Sequence, residues 1–139
     1  MWPPLLPVLG LLALGGCAMA APVATGPACR AEAAAMARVE LLFGRARPGG
    51  GAVGDAEWAD FLDREVTPRF PDGLTVLDGA GQWRGRDGTI VREPSHLLVI
   101  WYRPSARSEV DIEAIRAAYK KRFSQESVLR VDDVSCVAF

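Results

Sequence analysis

Between residues 36 and 44 apolar and charged positions alternate: Val39, Leu41 and Phe43 enclose Arg38 and Glu40. A period of two over that length predicts a strand from Met36 to Gly44 with one buried face. Beyond the glycine-rich run GRARPGGGAVGD the period changes. Trp58, Phe61, Leu62 and Val66 fall at i, i+3, i+4 and i+8, the stripe of an amphipathic helix. Asp55 is placed to cap it, and Thr67 before Pro68 ends it. FPDG then reads as a turn, with Pro71 pre-set for its bend and Gly73 free to leave it. A second strand runs from about Leu74 to Trp83, where Gly79 and Gly81 mark a bulge or the close approach of another backbone. RGRDG forms a hairpin leading to Thr89 and Ile90; Pro94 interrupts, and LLVIWY follows as the most apolar strand in the chain. Ser108 with Asp111 opens a second helix in the manner of a capping box, and Ile112, Ile115, Tyr119 and Phe123 line one face of it. SVLRV and SCVAF close the chain as one bent strand.

Strand, helix, strand, strand, helix, strand is the split βαβ order of an α+β, ferredoxin-like sandwich: a four-stranded antiparallel sheet with two helices on one face. In that layout the last strand lies antiparallel beside the first, which brings Cys29 close to Cys136. A disulfide between them is expected in an oxidising compartment; two free, buried thiols are the alternative. The layout also leaves one sheet face uncovered. Leu97, Val99 and Trp101 point one way and Leu98, Ile100 and Tyr102 the other, so both faces of this central strand are apolar. An uncovered apolar face pairs with a second copy as a homodimer, encloses a ligand cleft, or is covered by the N-terminal segment.

The N-terminal segment changes the picture of where the chain resides. The first 28 residues carry no charge, and from Leu5 to Leu14 runs an apolar stretch too short to span a bilayer and suited to a signal peptide. LGGC, residues 14–17, resembles a bacterial lipobox, which makes residues 1–16 the leader, Cys17 the lipidated N-terminus and residues 17–28 a flexible tether. The rival site is AMA, residues 18–20, with cleavage after Ala20 and a soluble periplasmic or secreted product. MWPP lacks the Lys or Arg usual at the start of such leaders. Either route delivers residues 29–139, read as a single globular domain, outside the cytoplasm. The first places them in the periplasm, with a lipid anchor as the only membrane contact.

Charge narrows the partners. With 16 Lys+Arg against 17 Asp+Glu in 139 residues, nothing argues for nucleic acid. One His and two cysteines expected to pair leave too few donors for a metal, and no cofactor motif is present; the glycines of GAGQWRG, at 79, 81 and 85, miss the spacing of a phosphate loop. Groups able to move a proton are His96, Asp78 and Glu93, each with a plainer reading as packing or strand-end charge. Arg45 and Arg47 beside the glycine loop are either anion ligands or solvated charges. The strongest ligand-binding candidates are Arg45, Asp78, Gln82, Trp83 and Arg84, where an indole can stack on a flat ligand while polar neighbours orient it.

The segments ELLFGRARPGG, EWADFLDREVTPRFPDGLTVLDGAGQWR and IEAIRAAYKKRF followed by ESVLRV resemble a family of small secreted or lipid-anchored bacterial proteins known only as a domain of unknown function. The resemblance covers most of Cys29 to Phe139 and implies an envelope address and a compact α+β domain. It brings no chemistry. The expected function is therefore that of an exported envelope lipoprotein acting as a small-molecule or protein binding module. The alternative is a cofactor-independent enzyme of the dimeric ferredoxin-like type, with an apolar pocket on the sheet face.

Overall fold

A computed structural model describes residues 28–139. The leader, Cys17, the cleavage site after Ala20 and the tether up to residue 27 lie outside the described residues. The elements are β1 (Ala34–Gly44), α1 (Asp55–Phe61) continued by a π-helical turn (Leu62–Val66), β2 (Thr75–Arg84), β3 (Ile90–Tyr102), α2 (Ser108–Phe123) and β4 (Leu129–Val137). All neighbours in the sheet are antiparallel, in the order β2-β3-β1-β4. The fold is ferredoxin-like.

Alternation in β1 sends Val39, Leu41 and Phe43 to the helix side, where they are fully buried with Leu98 and Ile100 of β3. From the helices come Trp58, Phe61, Ile112, Ile115 and Tyr119. Phe43 is the hub, with ring centroids 5.2 Å from Trp58, 5.8 Å from Phe61 and 4.6 Å from Tyr119. The π turn closes through the Thr67 N–H donating to the Leu62 carbonyl at 2.9 Å. Widening the last turn carries Val66 into the core with Phe61, a spacing of five that an α-helix would splay apart.

Local expectations fail in four places. Pro94 does not interrupt β3. Its carbonyl accepts from the Arg45 N–H at 3.0 Å, so its backbone faces β1 where pairing has just ended at Gly44 and Ser95, and no strand partner lacks the missing N–H. Gly79 and Gly81 make no bulge, because β2 and β3 pair without a break. Asp55 is the first residue of α1 rather than its cap; Gly54 holds the cap position, its N–H bound by Glu57 at 3.0 Å. Ser108 is likewise the first residue of α2, its hydroxyl accepting from the Ser105 N–H at 3.0 Å.

Cys29 and Cys136 are joined by a disulfide, 107 residues apart in sequence and 5.4 Å between Cα atoms. It forms because Cys136 pairs with Ala35 at the start of β1. Among the described residues no helix is long and apolar enough to cross a membrane.

Candidate functional site

The sequence-predicted groups divide into three environments. His96 lies on the helix side of β3, 4 % exposed, stacked on Trp58 with centroids 4.4 Å apart. Asp78 is its cross-strand partner, with Oδ1 2.8 Å from His96 Nδ1. The approach is off-line, so neither ring nitrogen makes a well-formed hydrogen bond among the described residues. Burial, and then the Arg45 guanidinium, push His96 below its ordinary pKa, against the opposing pull of Asp78. The imidazole is therefore neutral at pH 7 and serves as a ring in the aromatic stack.

Arg45 and Arg47 are committed to structure. Arg45 donates twice to the Val53 carbonyl, at 2.9 and 2.7 Å, and to Asp55 at 2.6 Å, tying the glycine loop to the start of α1. Arg47 grips Glu57 with both carboxylate contacts, at 2.7 and 2.8 Å. Trp83 stands apart from its presumed companions. Regular alternation puts Asp78, Gln82 and Arg84 on the helix side and Trp83 on the open side, 54 % exposed. Glu93 also faces the open side, its carboxylate lying over Gly44.

A cavity among the described residues lies elsewhere, at the far end of β2. It encloses about 990 Å³, and one wall is every residue from Pro68 to Thr75. The opposite wall is Trp101, Tyr102 and Arg103 from the end of β3, with Arg107, Ser108 and Asp111 from the start of α2. Apolar surface comes from Phe70 and Tyr102, packed edge to face at 5.4 Å, and from Trp101. Burial raises the Tyr102 hydroxyl above its ordinary pKa, so it is a protonated donor at neutral pH.

Cations outnumber anions around this cavity: Arg69, Arg103 and Arg107 face Asp72 and Asp111. Asp111 is 8 % exposed and lies between Arg107 Nε at 3.2 Å and Arg69 Nε at 3.9 Å. Arg69 is further held by the Glu65 carbonyl and carboxylate. Arg103 is exposed and has no ion-pair partner among the described residues. The amino-terminal end of α2, with its partial positive charge, opens on the same space. Sequence reasoning did not single out these side chains. One signal was present: Ser108 and Asp111 occupy the same helical stripe as Ile112, Ile115 and Tyr119, and polar residues in a core stripe need a reason.

A family model described as a protein of unknown function, DUF3574, matches residues 38–139. The chain belongs to this family. No curated protein sequence matches it. Among solved structures it is similar to a phage SAM lyase in complex with S-methyl-5'-thioadenosine. The identity is 16 %, coverage is 75 % of this chain and 90 % of that one, and the TM-score is 0.57. The apo state of that lyase gives 17 % identity, 76 % and 90 % coverage, and a TM-score of 0.53. CutA from Synechococcus elongatus matches at 10 % identity over 75 % of this chain and 80 % of that one, with a TM-score of 0.49. At these identities the fold is what is shared. Every residue that lines the cavity except Met36 lies within the DUF3574 match.

Proposed function

We propose that this DUF3574 protein is an exported envelope lipoprotein, anchored through Cys17, whose domain binds a small anionic molecule with a flat apolar portion. The observation that carries the binding reading is the cavity between Pro68–Thr75 and the start of α2, with its excess of guanidinium groups over carboxylates. Phe70, Trp101 and Tyr102 offer surface to a planar body, while Arg103 and the helix terminus favour a negative group. The address rests on the leader pattern and is supported by a disulfide that requires an oxidising space.

The enzyme alternative finds less support. His96, Asp78 and Glu93 do not line the cavity, and His96 is sealed beneath Trp58. The bound thioadenosine belongs to the phage lyase, and a likeness of fold does not bring that chemistry here.

Calorimetric titration of the purified protein with 2-naphthyl phosphate and with uncharged 2-naphthol tests the site. The phosphate is expected to bind about tenfold more tightly, and Arg103→Glu to abolish that preference, as loss of a charge-assisted contact implies. Equal affinity for the two probes, or a preference untouched by Arg103→Glu, refutes the binding reading. Fatty-acid labelling of the mature chain tests the anchor, which absence of label at Cys17 would remove.

A further inference from the structure

β2 and β3 outrun the rest of the sheet. Pairing of β1 with β3 ends at Gly44 and Ser95, and one further backbone bond, from the Arg45 N–H to the Pro94 carbonyl, closes that side. Beyond it β2 and β3 continue alone, pairing Gln82 with Arg92, Trp83 with Val91 and Arg84 with Ile90. The Gly85 N–H then donates to the Thr89 carbonyl at 2.8 Å and completes a hairpin, whose tip residue Gly88 holds a φ of 84° that favours glycine. Counting the rise from Pro94 to Gly88, the arm projects roughly 20 Å past the end of β1.

Its side chains differ from those of the rest of the surface. Most arginines elsewhere are ion-paired, whereas Arg84, Arg86 and Arg92 have neither an ion pair nor a hydrogen bond among the described residues. Asp87, the carboxylate of the turn, accepts from the Thr89 N–H at 3.0 Å and from the Thr89 hydroxyl at 2.8 Å. Glu93, at the root of the arm, folds back over Gly44. The arm therefore presents three unpaired guanidinium groups on a chain whose net charge is −1. Trp83 is 54 % exposed and Ile90 45 %. Alternation sets Trp83 and Val91 on the open side and Ile90, between Arg84 and Arg92, on the helix side, so both faces carry apolar side chains.

We propose that this arm is a membrane-contact element, which lays Trp83 and Ile90 at the headgroup level of a bilayer and sets Arg84, Arg86 and Arg92 against anionic phospholipid. Charge and shape together select that occupant. A protein partner would cover one face and leave the apolar residue of the other in water, whereas a bilayer surrounds whatever enters it. An indole is favoured at that depth, and arginines reach phosphates from it along their apolar stems. Shallow entry leaves the outer backbone edges where water still reaches, so no N–H is stranded in hydrocarbon. Near an anionic surface each arginine strengthens attraction about fivefold.

The inference needs neither the cavity nor a lipid at Cys17. Where that lipid is present, the two contacts stand at opposite ends of the sheet, because the chain enters beside Cys136 and the arm lies beyond Gly44. Held at both ends, the domain lies along the membrane rather than hanging from it.

Quenching of tryptophan fluorescence by vesicles with brominated acyl chains tests the arm. The full processed chain is added to vesicles of phosphatidylcholine, alone or with about 30 % phosphatidylglycerol. A lipidated chain attaches to both, so quenching rather than attachment is the readout. The expected result is quenching on the anionic vesicles that falls as salt is raised, is lost in Trp83→Phe and is kept in Trp101→Phe. Arg84→Gln, Arg86→Gln and Arg92→Gln together should weaken the contact about 100-fold and abolish quenching without moving the melting temperature, since none of the three has a partner in the fold. Arg103→Glu, in the cavity, should leave quenching unchanged, which separates this result from the fate of the binding site. The proposal is overturned by no quenching, by equal quenching on neutral vesicles, or by a signal that survives Trp83→Phe or the triple replacement. A Trp83 response to a poly-aspartate peptide with none to vesicles would assign the arm to an acidic protein instead and overturn it equally.

Discussion

His96 shows how one residue is decided by its surroundings rather than its chemistry. As the sole histidine it invites a catalytic reading, but burial against Trp58 and the nearby Arg45 depress its pKa below 6.5. The unfolded chain then takes up a proton that the folded chain refuses, so stability falls as pH drops below 6.5 and levels off once the folded pKa is passed. Urea titrations across that interval should show this loss in the natural protein and not in His96→Gln. The exposed carboxylates Glu57, Asp60 and Glu109, lowered chiefly by hydrogen bonds to Gly54, Arg64 and Arg130, lose their contribution only further down in acid. In the sequence His96 shows only its place before an apolar strand. Its stacking partner, contributed by a helix some forty positions earlier, was not legible, because packing partners are a tertiary property.

At the scale of elements, periodicity located every strand and helix and proline chemistry misplaced one break. A proline reads as an interruption when its N–H is assumed to be needed; in β3 the nitrogen of Pro94 faces the end of β1, where nothing asks for it. Caps were misread by one residue for a similar reason. Glu57 and Ser105 supply the local contacts at the starts of α1 and α2, and several polar residues near each start were equally placed by sequence to do so. The junction of α2 with β1 rests on one buried polar contact, the Tyr119 hydroxyl donating to the Gly44 carbonyl at 2.9 Å. Burial pushes that hydroxyl up to about 12, so it stays a donor across the physiological range. Tyr119→Phe keeps the ring against Phe43 and leaves the carbonyl unanswered, and chemical denaturation should register a loss of about 1–2 kcal/mol. A change below about 0.3 kcal/mol would mean that water replaces the contact.

For the whole molecule, the disulfide was the most readable long-range feature, because topology alone sets the start of β1 beside the end of β4. The cavity was the least readable. Its walls come from a turn, a strand end, a helix start and the carboxyl-terminal residues, and only the fold assembles them. Restricting the unfolded chain over 107 residues is the main contribution of the cross-link, so Cys136→Ser should cost about 2–4 kcal/mol while leaving the sheet order intact. Melting under oxidising and reducing conditions measures it, and a natural protein insensitive to reductant would contradict that role.

The same bond governs how force would travel. Any pull on the amino-terminal end arrives at Cys29 and crosses directly to Cys136, so the load divides between the outermost strand and its neighbour before either can peel. Because those two strands are stitched together in antiparallel register from Ala34 to Leu42, such a pull draws both the same way rather than sliding one past the other, and it reaches the cavity wall at Val137, one residue beyond the bond.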